Sequence, residues 1–125
     1  IVQASTMSKA PLPSSLCDEM EHRPHIHSKR TDGVIHDTAA LFNALGDIAR
    51  LRLMELLFDG PHCVSELAKE TQSSMSLISQ RLKILHQARL IQRERKGKHI
   101  YYSLADEHIV NLLENAFEHA DEIHD

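Results

Sequence analysis

The chain has 125 residues, 42% apolar and 26% charged, with a formal net charge of −4, two cysteines and no tryptophan. That length buries an ordinary core as one domain, and two cysteines are too few for a disulfide scaffold, which suits a reducing cytoplasm. No apolar run of about 18 residues is present to span a membrane, and no signal-peptide pattern is read at the start of the sequence, which begins at Ile1 with Met7 one candidate for a native start.

Residues 1–32 hold three of the four prolines amid Ser, Thr and charge, with no sustained apolar period. They read as a flexible N-terminal arm before a folded domain over 33–125. Ile35, Ala39, Phe42 and Leu45 then recur at helical spacing; Gly46 ends that helix and Asp47 caps a second, carrying Ile48, Leu51, Leu53, Met54 and Leu57. Asp59-Gly60-Pro61 is a turn. Further helices are predicted over Val64 to Glu70 and Ser74 to Gln87, then a hairpin of strands 89–95 and 98–104 around Lys96-Gly97, then a last helix from Asp106 to about His124. Four helices, a hairpin and a final helix make a mainly α chain with a β-hairpin wing: a winged helix-turn-helix with an added C-terminal dimerisation helix.

The net charge conceals a segregation. Ser79 to Ile100 holds seven basic residues and one acid, Glu94, whereas Tyr101 to Asp125 holds seven acids and no Lys or Arg. One segment suits a polyanion and the next a cation. In SELAKETQSSMSLISQRLKIL, residues 65–85, the second helix should pack Met75, Ile78, Leu82 and Leu85 inward, turning Ser76, Ser79, Gln80 and Lys83 outward with Arg81 at the flank. Hydroxyls, an amide and cations are what a groove-inserted helix uses on base edges and phosphates, and 73–88 contains no acid. Arg95, Lys96, Lys98 and His99 surround the hairpin tip, suited to phosphate or the minor groove of double-stranded DNA.

On the last helix, Ile109, Leu113, Ala116, Ala120 and Ile123 form a coiled-coil-like seam. A neighbouring stripe carries His108 and His119, roughly 16 Å apart along the axis. No single ion touches both. Two such helices, antiparallel about a twofold axis, would bring Asp106 and His108 of one subunit to His119 and Glu122 of the other. Each of two equivalent sites would then offer two nitrogens and two carboxylate oxygens, a set for Zn(II), with Co(II) a close substitute. Each residue also has a simpler reading: Asp106 as a helix cap, His108 as a solvent-facing residue, His119 and Glu122 as a surface pair.

LGDIARLRLMELL, CVSELA, SSMSLISQRLKIL, ARLIQRERKGKHIYYSL and DEHIVNLLENAFEHADE together resemble the ArsR/SmtB family of bacterial metal-sensing repressors, nearest its SmtB-type zinc sensors. The likeness covers about two-thirds of the chain, from Leu41 to Glu122, and includes all four helix ligand positions. It implies a homodimer that binds a palindromic operator when metal-free and is released by the ion; Ni(II) and Cd(II) are alternatives to zinc. It also implies coupling from His119, through its second ring nitrogen, to the backbone near Arg89. A second site is implied at Cys63, with Glu66 where an aspartate often stands and Cys17 and His22 from the partner's arm. His25, His27 or His124 are alternative donors for a six-ligand ion, and Cys63 also reads as an ordinary buried thiol.

Three rivals differ in what they require. A thiol-redox repressor of the same fold would switch through Cys17 and Cys63. A purely structural dimer would bind DNA indifferently to metal. An enzyme is not expected: four protein ligands leave no open metal position for water, and neither a nucleophile–base pair nor a glycine-rich phosphate loop is evident.

Overall fold

The computed structural model describes residues 29–124. Most of the expected arm over 1–32 lies outside the described residues, with its candidate ligands Cys17, His22, His25 and His27.

Helix α1 spans Asp32–Leu45, three residues longer at its start than the apolar pattern suggests, because Thr31 Oγ1 accepts from the Val34 amide at 3.2 Å. Asp47 begins α2 (Ile48–Leu56), its Oδ2 accepting from the Arg50 amide at 3.0 Å. Arg50 then reaches back, Nε donating to the Ala44 carbonyl at 2.7 Å and Nη2 to that of Asn43 at 3.3 Å. Those carbonyls lie at the C-terminal end of α1, where intrahelical partners run out. One side chain therefore fixes the α1–α2 corner.

A 3₁₀ turn over Leu57–Asp59 leads to β1 (His62–Cys63), α3 (Val64–Thr71) and α4 (Met75–Gln87). Strands β2 (Ile91–Lys96) and β3 (His99–Leu104) form the wing, and α5 (Glu107–Ile123) follows. The antiparallel sheet has the order β1-β3-β2, with Cys63 opposite Tyr101 and Lys96 opposite His99. β1 thus ties the start of α3 to the wing.

The hairpin differs from expectation at both ends. Arg89 is not in a strand: it sits at φ +64°, its amide donating to His86 O and the Leu90 amide to Leu85 O, both at 3.0 Å. That paired bonding is a Schellman motif ending α4, so β2 cannot start before Ile91. The turn residues are Gly97 and Lys98 rather than Lys96 and Gly97. Positive φ at Gly97 (+64°) and not at Lys98 is the type II′ pattern, whose twist matches a two-residue hairpin.

The core joins Leu53, Met54 and Leu57 to Leu67, to Ile78, Leu82 and Leu85 of α4, to Leu90 and Ile91, and to Ile109 and Leu113 of α5. No polar or charged residue is buried among the described residues. Phe117 of α5 packs its ring on Phe58, centroids 6.1 Å apart. Met75, expected inward with Ile78, Leu82 and Leu85, is instead 55% exposed. It is the first residue of α4, so the apolar phase continues one turn past the last core layer. Among the described residues no helix is long and apolar enough to cross a membrane.

Candidate nucleic-acid interface and candidate metal centre

Helices α3 and α4 are the two arms of the helix-turn-helix. Glu66 turns back over the start of α3, its Oε1 accepting from the Cys63 amide at 2.8 Å. That backbone bond, then the Cys63 side chain, holds Glu66 below the usual glutamate value against the opposing effect of desolvation, with His62 and His99 adding smaller contributions. α3 ends in a second Schellman motif: Gln72 sits at φ +54°, its amide donating to Lys69 O and that of Ser73 to Ala68 O. Ser74 then caps α4, its Oγ accepting from the Leu77 amide at 3.1 Å. Caps and left-handed residues set the angle between the two helices without any glycine.

Of the expected reading residues, Ser76, Ser79, Gln80 and Lys83 are exposed on α4. Arg81 is half-buried and lines a cleft of about 440 Å³ with Arg52, Glu55 and Glu70. Arg95, Lys96, Lys98 and His99 are all exposed around the wing turn, the His99 ring 6.2 Å from that of Tyr101. The described residues thus present hydroxyls, an amide and cations on a helix without acids, beside a cationic hairpin.

On α5, Asp106 is the helix cap: its Oδ1 accepts from the Ile109 amide at 3.1 Å. The same oxygen lies 3.8 Å from His108 Nδ1, and the His108 side chain is 96% exposed. Capping and ligation are compatible, because Oδ2 carries no hydrogen bond among the described residues. His119 and Glu122 are exposed near the far end. Among the described residues no group of three or more His, Cys, Asp or Glu in one chain could hold a metal ion. Asp106 with His108 and His119 with Glu122 remain two separate half-sets, as their spacing along one helix requires.

The two halves of α5 also differ in burial. Ile109 and Leu113 are buried in the chain's own core, while Ala116, Ala120 and Ile123 are exposed, Ile123 at 69%. At the second candidate site, Cys63 is buried with Sγ 3.1 Å from Ser65 Oγ, and Glu66 is engaged by the Cys63 amide. The other proposed donors, Cys17 and His22, fall outside the described residues. Arg89 is exposed, and what the structure adds is its left-handed backbone at the exit of α4. Sequence reasoning missed the Arg50 clamp and the exposure of Met75. The clamp is made by a side chain folding back six and seven residues, which no periodicity reveals; the position of Met75 beside the Ser74 cap was a readable signal.

Comparison with known proteins gives concordant matches. Residues 47–93, from the Asp47 cap to the start of the wing, match the family model described as bacterial regulatory protein, arsR family. The chain is 37% identical over 112 residues to a transcriptional repressor SmtB homolog from Synechocystis, covering 86% of this chain and 85% of that one. It is 36% identical over 88 residues to a cadmium resistance transcriptional regulatory protein CadC homolog from Staphylococcus aureus, covering 70% and 73%. Its fold is similar to a homodimeric winged helix-turn-helix DNA-binding domain from Mycobacterium bovis, described as a possible ArsR-family transcriptional regulator, with a TM-score of 0.72 at 27% identity over 79% of this chain and 92% of that one. On the helix-turn-helix, the wing and these matches, the chain belongs to the ArsR family of bacterial regulatory proteins, as a transcriptional repressor and not an enzyme.

Proposed function

We propose that this chain is a metal-responsive repressor whose homodimer binds operator DNA when metal-free and is released by Zn(II), or a similar divalent ion, bound between the α5 helices. The observation that carries this reading is the division of α5 into two exposed half-sets, Asp106 with His108 and His119 with Glu122. Alongside them runs an apolar seam that is exposed beyond Leu113. An antiparallel partner helix would cover the seam and complete two sites with one movement. Names among the relatives, a repressor SmtB homolog and a cadmium resistance regulator, support a response to metal.

The donors fit a borderline divalent ion: imidazole nitrogen and carboxylate oxygen, with no thiol. Bound there, the ion would supply a charge-neutralising bridge between subunits. Asp106 would serve with Oδ2 while Oδ1 keeps the cap, which fixes the carboxylate's direction. His119 would hold the ion through one ring nitrogen and orient itself through the other, the arrangement by which outer partners usually tune a site. Release of DNA requires that the ion bind the low-affinity form more tightly, by the same free energy that operator affinity loses. The pair Cys63 and Glu66 would form a second, separate site with Cys17 and His22 of the partner.

Fluorescence anisotropy on the protein's own promoter DNA tests the reading. Zn(II) should weaken wild-type binding at least tenfold, about 1.4 kcal/mol of coupling, and leave His119→Ala unmoved. Zinc-indifferent binding by both proteins would reduce α5 to a dimer interface. Release by thiol oxidation, lost in Cys63→Ser and kept in His119→Ala, would favour the redox alternative at Cys17 and Cys63.

A further inference from the structure

The first turn of α4 carries an apolar surface that the core does not use. Met75 is 55% exposed and Leu77 39%, on either side of the exposed hydroxyl of Ser76. Met75 follows the Ser74 cap directly, so it stands at the tip of the helix. In a helix-turn-helix the reader's N-terminal residues are the ones that meet base edges. A long, flexible thioether stands largely exposed at that tip, on a helix without acids and with a cationic wing following in the chain.

We propose that Met75 is a specificity-determining residue that reads a thymine C5-methyl group in the major groove. The inference rests on the operator-binding reading above and deepens it. Among base-pair edges in the major groove, only thymine offers a methyl, and apolar side chains are the groups that contact it. Ser76 and Ser79, with Gln80, supply hydrogen bonds, which every base edge can receive or return. Alone they discriminate loosely. An adjacent apolar contact converts that polar readout into one that favours T at a single step of each half-site. The thioether suits the task because its unbranched chain adapts to the position of the methyl while losing little in contact.

The test removes the methyl from the DNA and the side chain from the protein. Promoter DNA is prepared with deoxyuridine in place of thymidine, first throughout and then one position at a time, and titrated by anisotropy with wild type, Met75→Ala and Met75→Leu. For wild type, a single symmetric pair of T→U changes should weaken binding about fifteenfold, about fourfold for each half-site, the effect of losing one apolar methyl contact. Met75→Ala should bind unmodified DNA more weakly and be indifferent to that same change, whereas Met75→Leu should recover part of the sensitivity. Met75 lies on the surface, and unchanged far-ultraviolet circular dichroism confirms that the variants fold. Equal uracil penalties in wild type and Met75→Ala, or none at any position, would overturn the inference. Failure of wild type to bind unmodified promoter DNA would instead overturn the repressor reading itself.

Discussion

Gln72 and Arg89 bracket the reading helix, and both hold left-handed backbone, φ +54° and +64°, at Schellman positions where glycine is the usual occupant. For a residue with a Cβ that conformation costs about 1–2 kcal/mol, while glycine's greater unfolded freedom returns about 0.5–1. Gln72→Gly should therefore raise stability by about 0.5–1 kcal/mol, read as a shift in the urea midpoint at unchanged slope; a lower midpoint would show that the Gln72 side chain makes up the difference. Asp106 has two roles that substitution can separate. Asp106→Ala should lose the cap and about 1 kcal/mol of stability, whereas Asp106→Asn still accepts from the Ile109 amide and should stay within a few tenths. Both should weaken Zn(II) binding in competition with a chelating dye. Tight zinc binding by Asp106→Asn would make Asp106 a cap only.

At the scale of the element, one apolar stripe of α5 is buried over its first half and exposed over its second. Ile109 and Leu113 belong to the chain's own interior, and Ala116, Ala120 and Ile123 continue the stripe into solvent. Ile123→Lys should leave the fold intact, because Ile123 is 69% exposed, yet shift the protein towards monomer in sedimentation equilibrium and weaken operator binding with it. A stable Ile123→Lys dimer would place the subunit contact elsewhere. The starts of α2 and α5 were legible because caps and periodicity coincide: Asp47 and Asp106 each accept the expected amide bond. Where the stripe of α5 passes from intramolecular to exposed was not legible, since period reports the face and not what covers it. Met75 misled because its period was weighed without the Ser74 cap that puts it on the helix's first turn, and Arg89 because a left-handed arginine ends a helix where composition suggested a strand. Of the candidate metal centre the sequence shows only spacing, and the proposed joining of Asp106 and His108 with His119 and Glu122 would need a second chain.

Over the whole molecule, charge is segregated in a way that suits the two proposed tasks, DNA binding and metal sensing. The exposed basic residues of α4 and the wing lie apart in sequence from the acids of α5, of which Glu114, Glu118 and Asp121 line one cleft with Glu55 and Asp59. A net charge of −4 therefore says little about DNA, since phosphates meet the local field of the wing and reader. If the tasks are separate, their variants should fail in different ways. Lys98, exposed in the wing turn, would meet phosphate and carry no sequence information. Lys98→Gln removes one such contact from each subunit, so binding to specific and unrelated DNA should weaken alike. The slope of log affinity against log salt should become shallower by about 1.8, at about 0.9 for each phosphate released. The zinc-induced fold-change should stay at its wild-type value, because coupling is a ratio of affinities and both states lose the same contact. His119→Ala should do the reverse, keeping the salt slope and losing the zinc response. A Lys98→Gln protein that binds DNA normally but no longer answers zinc would mean that the wing belongs to the switch, and the two charge fields would then be one device.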